Sequence, residues 1–456
     1  MASLQLIREE HQHEQIVDRR SPAPLSTERI PATVESKKLS MRMSSPEAKL
    51  GKRVEDLWDV MDQPQLTPTE KLNACFEDVP VSSFPVSAHS LVEINSDSSL
   101  SDAVQMLAQH RLFSAPVVNV QALDDASWID RYLGIVEFAG IVVWVLQQSE
   151  ADESLDATLA DGKSEKLASG PALTAASAMT HAGRVGNLSP RSAAAISGNY
   201  FGSLTSSDIY KNTKVGDIAG SFRWAPFLAL QKSNTMLTLL LLLSKYKMKS
   251  VPVVDPGEAK IENIITQSAV IHMLAECSGL DWFENWGSKK LSELGLPLMS
   301  PKQMIRVYEN EPVLEAFKRM RLKGIGGIPV VDHDGSKAVG NISIRDVQFL
   351  LLAPEIYKDY RSVTAKDFLV TARRYRAEHH EMMPSMSGMV FCKSDSTLKD
   401  VILTLDSKMI HRIYVVDDDG NLEGVITLRD IISRLVHEPR GYFGDFFDGY
   451  TPNWRG

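Results

Sequence analysis

Apolar residues recur with one spacing at four places along the chain. Leu100/Ala103/Val104/Leu107, Met236/Leu239/Leu240/Leu243, Val313/Ala316/Phe317/Met320 and Leu398/Val401/Ile402/Leu405 each follow i, i+3, i+4, i+7, the stripe of a helix buried on one face. Sixteen residues beyond the first member of every stripe stands Pro116, Pro252, Pro329 or Tyr414, each inside a short apolar run that ends in Val-Val. A register held four times without a gap marks an internal repeat. Polar Ser99, Asn234 and Ser396 stand near three helix starts, where a side-chain oxygen can satisfy orphan amides. Further strands are expected before the stripes, at 91–94, 227–230, 304–307 and 388–391, and after the Val-Val runs, at 133–136, 264–266, 339–343 and 424–427. A second helix follows each.

The unit is strand, helix, strand, strand, helix. At about 55 residues it is too small to cover its own sheet. Two units packed sheet to sheet and helix to helix bury the exposed faces, so the expectation is an α/β (α+β) fold of four units in two pairs. The boundaries read as a disordered N-terminal tail, 1–45; a lead-in segment, 46–85; repeat 1, 86–148; a Ser/Ala/Gly-rich flexible linker, 149–205; repeat 2, 206–280; a connector with Trp282 and Trp286, 281–302; repeat 3, 303–360; a second connector, 361–385; repeat 4, 386–440; and an aromatic tail, 441–456.

A net charge of −9 argues against a general nucleic-acid binder and confines any anion site to a local cluster. The longest apolar runs, 236–243 and 141–146, fall well short of the ~18 residues of a membrane span. Glu9, Glu10 and Glu14, without a long apolar stretch beside them, fit no secretion or transit signal. The expected compartment is the cytoplasm, with the nucleus open. Cys75, Cys277 and Cys392 match neither a disulfide framework nor metal-ligand spacing and are read as small core residues.

Candidate chemistry gathers in repeats 3 and 4. Ser343-Ile344-Arg345-Asp346 and Thr427-Leu428-Arg429-Asp430 place a hydroxyl, a guanidinium and a carboxylate where the last strand enters the last helix. Helix-start amides favour anions, and a carboxylate accepts two hydrogen bonds from a ribose diol, so the group suits a ribonucleotide. Alone, either Asp fits a helix cap better than a ligand contact; the repeat context reverses that preference. Repeats 1 and 2 carry Gly140 and Ala269 in the carboxylate position, so unequal sites are expected. His411 and Arg412 precede the repeat-4 strand as a phosphate candidate, against Phe113-Ser114, Lys249-Ser250 and Gly326-Gly327 in the other repeats. Gly324, Gly326 and Gly327 lead into a strand with no Lys-Ser/Thr behind them, which fits a helix end and turn better than a phosphate loop, while leaving room for a planar base. Neither Arg-Asp pair is preceded by His, and Leu351 and Leu435 stand where a kinase catalytic loop has Asn, so no catalytic residues or metal ligands are assigned.

The fourfold unit, with Pro-Val-Val-Asp at 252–255 and 329–332 and Thr-Leu-Arg-Asp at 427–430, resembles the cystathionine-beta-synthase (CBS) domain. Ser45-Pro-Glu-Ala-Lys-Leu-Gly, Trp128-Ile-Asp-Arg-Tyr, Lys245-Tyr-Lys-Met-Lys-Ser and Gly441-Tyr-Phe-Gly-Asp-Phe-Phe-Asp-Gly are similar to the plant gamma-type regulatory subunits within the AMP-activated kinase gamma family. The resemblance implies two Bateman modules forming a disk, a catalytic Ser/Thr kinase alpha subunit and a beta scaffold subunit as partners, and AMP, ADP or ATP as regulatory ligands with no obligatory cofactor. It further implies that Asp430 and Asp346 contact ribose, Thr427 and Arg429 line the repeat-4 site, His411 and Arg412 face phosphate, and backbone at Gly326 and Gly327 flanks adenine. A stand-alone adenosyl-ligand sensor and a constitutive scaffold are the competing classes that the same repeats allow.

Overall fold

The computed structural model describes residues 45–61, 66–86, 91–141, 208–218, 228–344, 362–378 and 389–444, with Trp144, Asp346 and Phe349, less positions 111, 113, 124, 139, 256, 258 and 259. The expected tail before Ser45 and the linker over 149–205 lie outside the described residues. Two lead-in helices come first, α1 (Pro46–Val60) and α2 (Pro68–Glu77). Repeat 1 holds β1 (Ile94–Asn95), α3 (Leu100–Gln109), β2 (Ser114–Val118), a short α4 (Trp128–Arg131) and β3 (Tyr132–Glu137); α5 (Asp208–Asn212) and α6 (Val215–Ile218) follow. Repeat 2 holds β4 (Leu230–Gln231), α7 (Met236–Ser244), β5 (Ser250–Asp255), β6 (Lys260–Thr266) and α8 (Gln267–Glu276), and α9 (Asp281–Gly287) leads onward. Repeat 3 holds β7 (Val307–Tyr308), α10 (Val313–Lys323), β8 (Gly327–Val331) and β9 (Ala338–Ser343), followed by α11 (Ala365–Glu378). Repeat 4 closes with β10 (Phe391–Cys392), α12 (Leu398–Ser407), β11 (Arg412–Val416), β12 (Leu422–Thr427) and α13 (Leu428–Leu435).

All four stripes begin helices at the residues from which the register counts. The caps differ from expectation at two of them. Thr235 and Thr397, each directly before its helix, accept from the amides of Thr238 and Asp400, both at 3.2 Å. Asn234 and Ser396 instead accept from Gln231 and Lys393 in the preceding turn. Only the residue that flanks the first helical turn can reach its amides, which is why Ser99, adjacent to Leu100, does cap. The leading strands are also shorter and later than expected, because only two residues of each pair with the next strand.

Every sheet has three strands, the first parallel and the third antiparallel to the central one. In each, the register slips between the two valines of the Val-Val pair. Alternation along a strand sends those valines to opposite faces. Val117, Val253, Val330 and Val415 join the helix-covered cores, whereas Val254 and Val331 meet a neighbouring sheet. The central strand is thus buried on both faces, which accounts for its unbroken apolar run.

Two small clusters join sheets within the expected pairs. Tyr132 of repeat 1 packs with Val254 and Ile261 of repeat 2, and Met304 and Val331 of repeat 3 with Tyr414 and Leu422 of repeat 4. The helices, however, join different pairs. α8 packs against α12 and α13, and α7 against α13, so repeats 2 and 4 share one core, while repeats 1 and 3 share another. The contacts therefore close a ring in the order 1, 2, 4, 3. The expected helix contact within a pair is corrected on this point: among the described residues, the helices of one pair meet helices of the other pair.

α7 is buried almost all round, from Met236 to Ser244, which accounts for its near-absence of polar residues. The lead-in helices complete this core. Trp282 of α9 donates its indole N–H to the Gly51 carbonyl at 3.1 Å, and Glu55 accepts the backbone amides of Asp281 and Trp282 at 2.8 and 3.1 Å, capping α9 from α1. A Cβ on Gly51 would lie 2.2 Å from Cys277 Sγ, so glycine sets the close approach of α1 to α8. Ion pairs cross the same region: Lys399 with Glu284 at 2.6 Å, and His272 with Asp406 at 3.0 Å, the Asp406 hydrogen bond raising the imidazole pKa. Burial pushes the Cys75 and Cys392 thiols up to about 11 and about 12, well away from nucleophilic use. Among the described residues, no helix is long and apolar enough to cross a membrane.

Candidate functional site

In repeats 2 and 4 the end of the third strand passes directly into a helix, and the strand ends of all four repeats carry the polar groups. Thr427 ends β12 and caps α13 in a reciprocal box: its hydroxyl accepts the Asp430 amide at 3.4 Å, and Asp430 Oδ2 accepts the Thr427 amide and hydroxyl at 2.8 and 2.7 Å. Ser343 and Asp346 repeat the carboxylate half of the device, with Asp346 Oδ2 accepting the Ser343 amide and hydroxyl at 2.7 and 2.8 Å. Both carboxylates are buried. The capping role of Asp430 is therefore real, and in both residues Oδ2 accepts the amide and the hydroxyl. Arg345, predicted beside Asp346, lies outside the described residues.

The other two junctions differ chemically. Thr266 caps α8 through the Ala269 amide at 3.1 Å, and Ala269 has no carboxylate to return. In repeat 1 the strand-end position is Glu137, which binds Lys249 of repeat 2 at 3.1 Å. A carboxylate and an ammonium thus already pair with each other where repeats 1 and 2 meet.

Across repeats 3 and 4 the structure brings Arg412, Gly326 and Gly327 together. Arg412 opens β11 opposite Thr427, and its half-buried guanidinium lies against the backbone of repeat 3. A Cβ on Gly327 would stand 1.5 Å from Nη1 and 2.4 Å from Cζ, so only glycine admits the guanidinium; one on Gly326 would clear Nη2 by 3.4 Å. Arg412 Nη1 also lies 3.5 Å from Asn341 Oδ1, which accepts the Tyr414 hydroxyl at 2.6 Å. Burial pushes that phenol up to about 12, so it stays a protonated donor. Gly324, with φ of 64°, ends α10 in the left-handed conformation, the helix-end role read from the sequence.

His411 and Arg412, expected to act together, diverge. His411 Nε2 lies 3.1 Å from Ser268 Oγ at the start of α8, across the contact between repeats 2 and 4. Arg429 turns toward the same contact, where Lys247 has its pKa lowered by burial first and by Arg429 second. Lys247, Lys249, Ser268, Asn341 and Tyr414 escaped the sequence reading as site residues. Tyr414 was visible as the one non-proline among four equivalents; Lys247 carried no signal, because its neighbour belongs to another repeat. What these groups offer is binding: a guanidinium, two capped carboxylates, hydroxyls and helix-start amides. Among the described residues, no group of His, Cys, Asp and Glu has the arrangement to hold a metal ion.

Comparison with known proteins agrees with this architecture. The CBS domain family model matches residues 293–353 and 383–437, the third and fourth repeats. The chain is 62% identical over 412 residues to the SNF1-related protein kinase regulatory subunit gamma-1 of Arabidopsis thaliana, covering 90% of this chain and 94% of that one. It is 39% identical to the gamma-1-like subunit of the same plant, over 82% of this chain and 89% of the relative. The 5'-AMP-activated protein kinase subunit gamma-3 of Sus scrofa is 23% identical over 49% of this chain and 40% of its own length. Four CBS-type units with these relatives place the protein in one family: the chain belongs to the SNF1-related protein kinase regulatory gamma subunits.

Proposed function

We propose that this chain is the non-catalytic gamma subunit of a heterotrimeric Ser/Thr kinase and that it binds an adenine nucleotide in its second pair of repeats. The observation that carries the reading is the contrast between the pairs. Repeats 3 and 4 set Arg412 against Gly326 and Gly327 beside two capped carboxylates, Asp346 and Asp430, whereas repeats 1 and 2 set Glu137 against Lys249. In the first pair a phosphate would have to displace a carboxylate from its cation. In the second, the guanidinium is offered to an incoming anion, the unoccupied edge of Asp430 can accept ribose hydroxyls, and Thr427, Arg429, Ser343 and Arg345 complete the rim. His411 joins through the contact with repeat 2. The names of the relatives support a kinase partnership and, through the 5'-AMP-activated subunit, an adenylate ligand; the partners of this proposal are an alpha catalytic chain and a beta scaffold. AMP, ADP and ATP would act by favouring one of two states of the assembly, since a ligand bound equally to both shifts nothing. Action in the cytoplasm and nucleus completes the proposal.

Calorimetric titration of the full chain with AMP, ADP and ATP tests the site. Arg412→Ala and Asp430→Ala each remove a charge-assisted hydrogen bond of about 1.5–3 kcal/mol, so affinity is expected to fall roughly ten- to a hundred-fold. Equal affinity in all three proteins would refute the assignment.

A further inference from the structure

Paired positions across the four sheets are equivalent, and they expose two exceptions. Pro116 faces Ile135, Pro252 faces Ile264, Pro329 faces Asn341, and Tyr414 faces Val425. Three repeats thus carry proline at this position of the central strand, and three carry a branched aliphatic residue at the facing position of the third strand. The departures, Tyr414 and Asn341, occur in different repeats, yet they bind one another: the Tyr414 hydroxyl donates to Asn341 Oδ1 at 2.6 Å. Arg412 Nη1 approaches that same oxygen at 3.5 Å. A carboxamide oxygen has two lone pairs and can serve both donors.

We propose that Asn341 and Tyr414 are positioning residues for Arg412, holding its guanidinium over Gly327 in the pose that receives a phosphate. The guanidinium can only donate, so it sets which way the amide points, and the Tyr414 hydroxyl, donating to the same oxygen, holds it there. Asn341 then accepts one edge of the guanidinium, while the absent side chain of Gly327 leaves room for its plane. A long side chain held in advance loses less rotamer freedom when its ligand arrives. The Tyr414 hydroxyl is buried, so a tyrosine at this position without Asn341 opposite it would leave that hydroxyl unpaired.

This inference rests on Arg412 as the phosphate partner, and the test separates the two claims. The probes are AMP and adenosine, titrated against the full chain. Asn341→Ile, which restores the residue found in repeats 1 and 2, is expected to weaken AMP about tenfold, the scale of one charge-assisted hydrogen bond, and to leave adenosine within about twofold. Tyr414→Phe, which frees the amide without removing it, is expected to weaken AMP by a smaller factor, about threefold. In the Arg412→Ala background neither change should matter further, because residues acting through Arg412 are coupled to it. The Asn341→Ile/Tyr414→Phe double variant, with no polar group left unpaired, guards against a folding defect and should bind AMP as weakly as Asn341→Ile. If Arg412→Ala has no effect on AMP, the phosphate reading itself fails. If Arg412→Ala weakens AMP but Asn341→Ile does not, or weakens adenosine equally, the positioning role is overturned.

Discussion

Replacing Trp282 by alanine is expected to lower the unfolding free energy by about 3–5 kcal/mol, the range for removing a buried tryptophan side chain. Trp282 is fully buried and meets Phe76 and Phe283 edge to face, with ring centroids 6.1 and 5.8 Å away. Those neighbours come from α2 and α9, and the indole N–H reaches the Gly51 carbonyl of α1. One side chain therefore joins both lead-in helices to the core shared by repeats 2 and 4. The alanine variant leaves a cavity and removes the indole's bond to α1 at once. Trp282→Phe keeps most of the packing and loses the donor, so its cost should be nearer 1–3 kcal/mol. Urea unfolding followed by circular dichroism reads both; a midpoint unmoved by Trp282→Ala would show that the lead-in helices are not part of this core.

Gly327→Ala is expected to weaken AMP binding roughly ten- to a hundred-fold with little change in stability. The new Cβ would overlap the Arg412 guanidinium, the mobile end of a long side chain, so the arginine swings away at small cost while the fold stays intact. Gly327 lies in β8 without a positive φ, so alanine brings no backbone strain there. Gly326→Ala is the internal control: its Cβ would touch Nη2 at an ordinary 3.4 Å, and affinity should hardly change. Titration with AMP beside thermal melting separates a lost seat from a lost fold. Equal affinity for wild type and Gly327→Ala would show that the position of Arg412 does not matter to the ligand.

Much of the repeat was legible because it is written in two periods. The 3.6-residue stripes located four helix starts to the residue, and the Val-Val pair located the strand whose two faces are both buried. Partnership was less legible. A stripe such as Leu398/Val401/Ile402/Leu405 shows that a face is buried, but nothing in it distinguishes a helix of the same pair from α8 of another. The site divided in the same way. Arg412 and Gly327 align as equivalents of two different repeats, and nothing in that alignment shows that one packs on the other. Thr427 with Asp430 could be read from local spacing and repeat alignment. The separation of His411 from Arg412 could not, since neighbouring residues on an extended chain point oppositely and each here meets a different repeat. Asn341 left a trace only as a polar residue at an apolar position, and its meaning depends on Tyr414, more than seventy residues away.

Hydrogen–deuterium exchange of the full chain, with and without millimolar AMP, tests the central claim most directly: that the second pair of repeats is where the nucleotide lodges. Slower exchange is expected in β8, β9, β11 and β12 and at the start of α13, with β2, β3, β5 and β6 unchanged. Protection confined to repeats 1 and 2, or absent throughout, would contradict it.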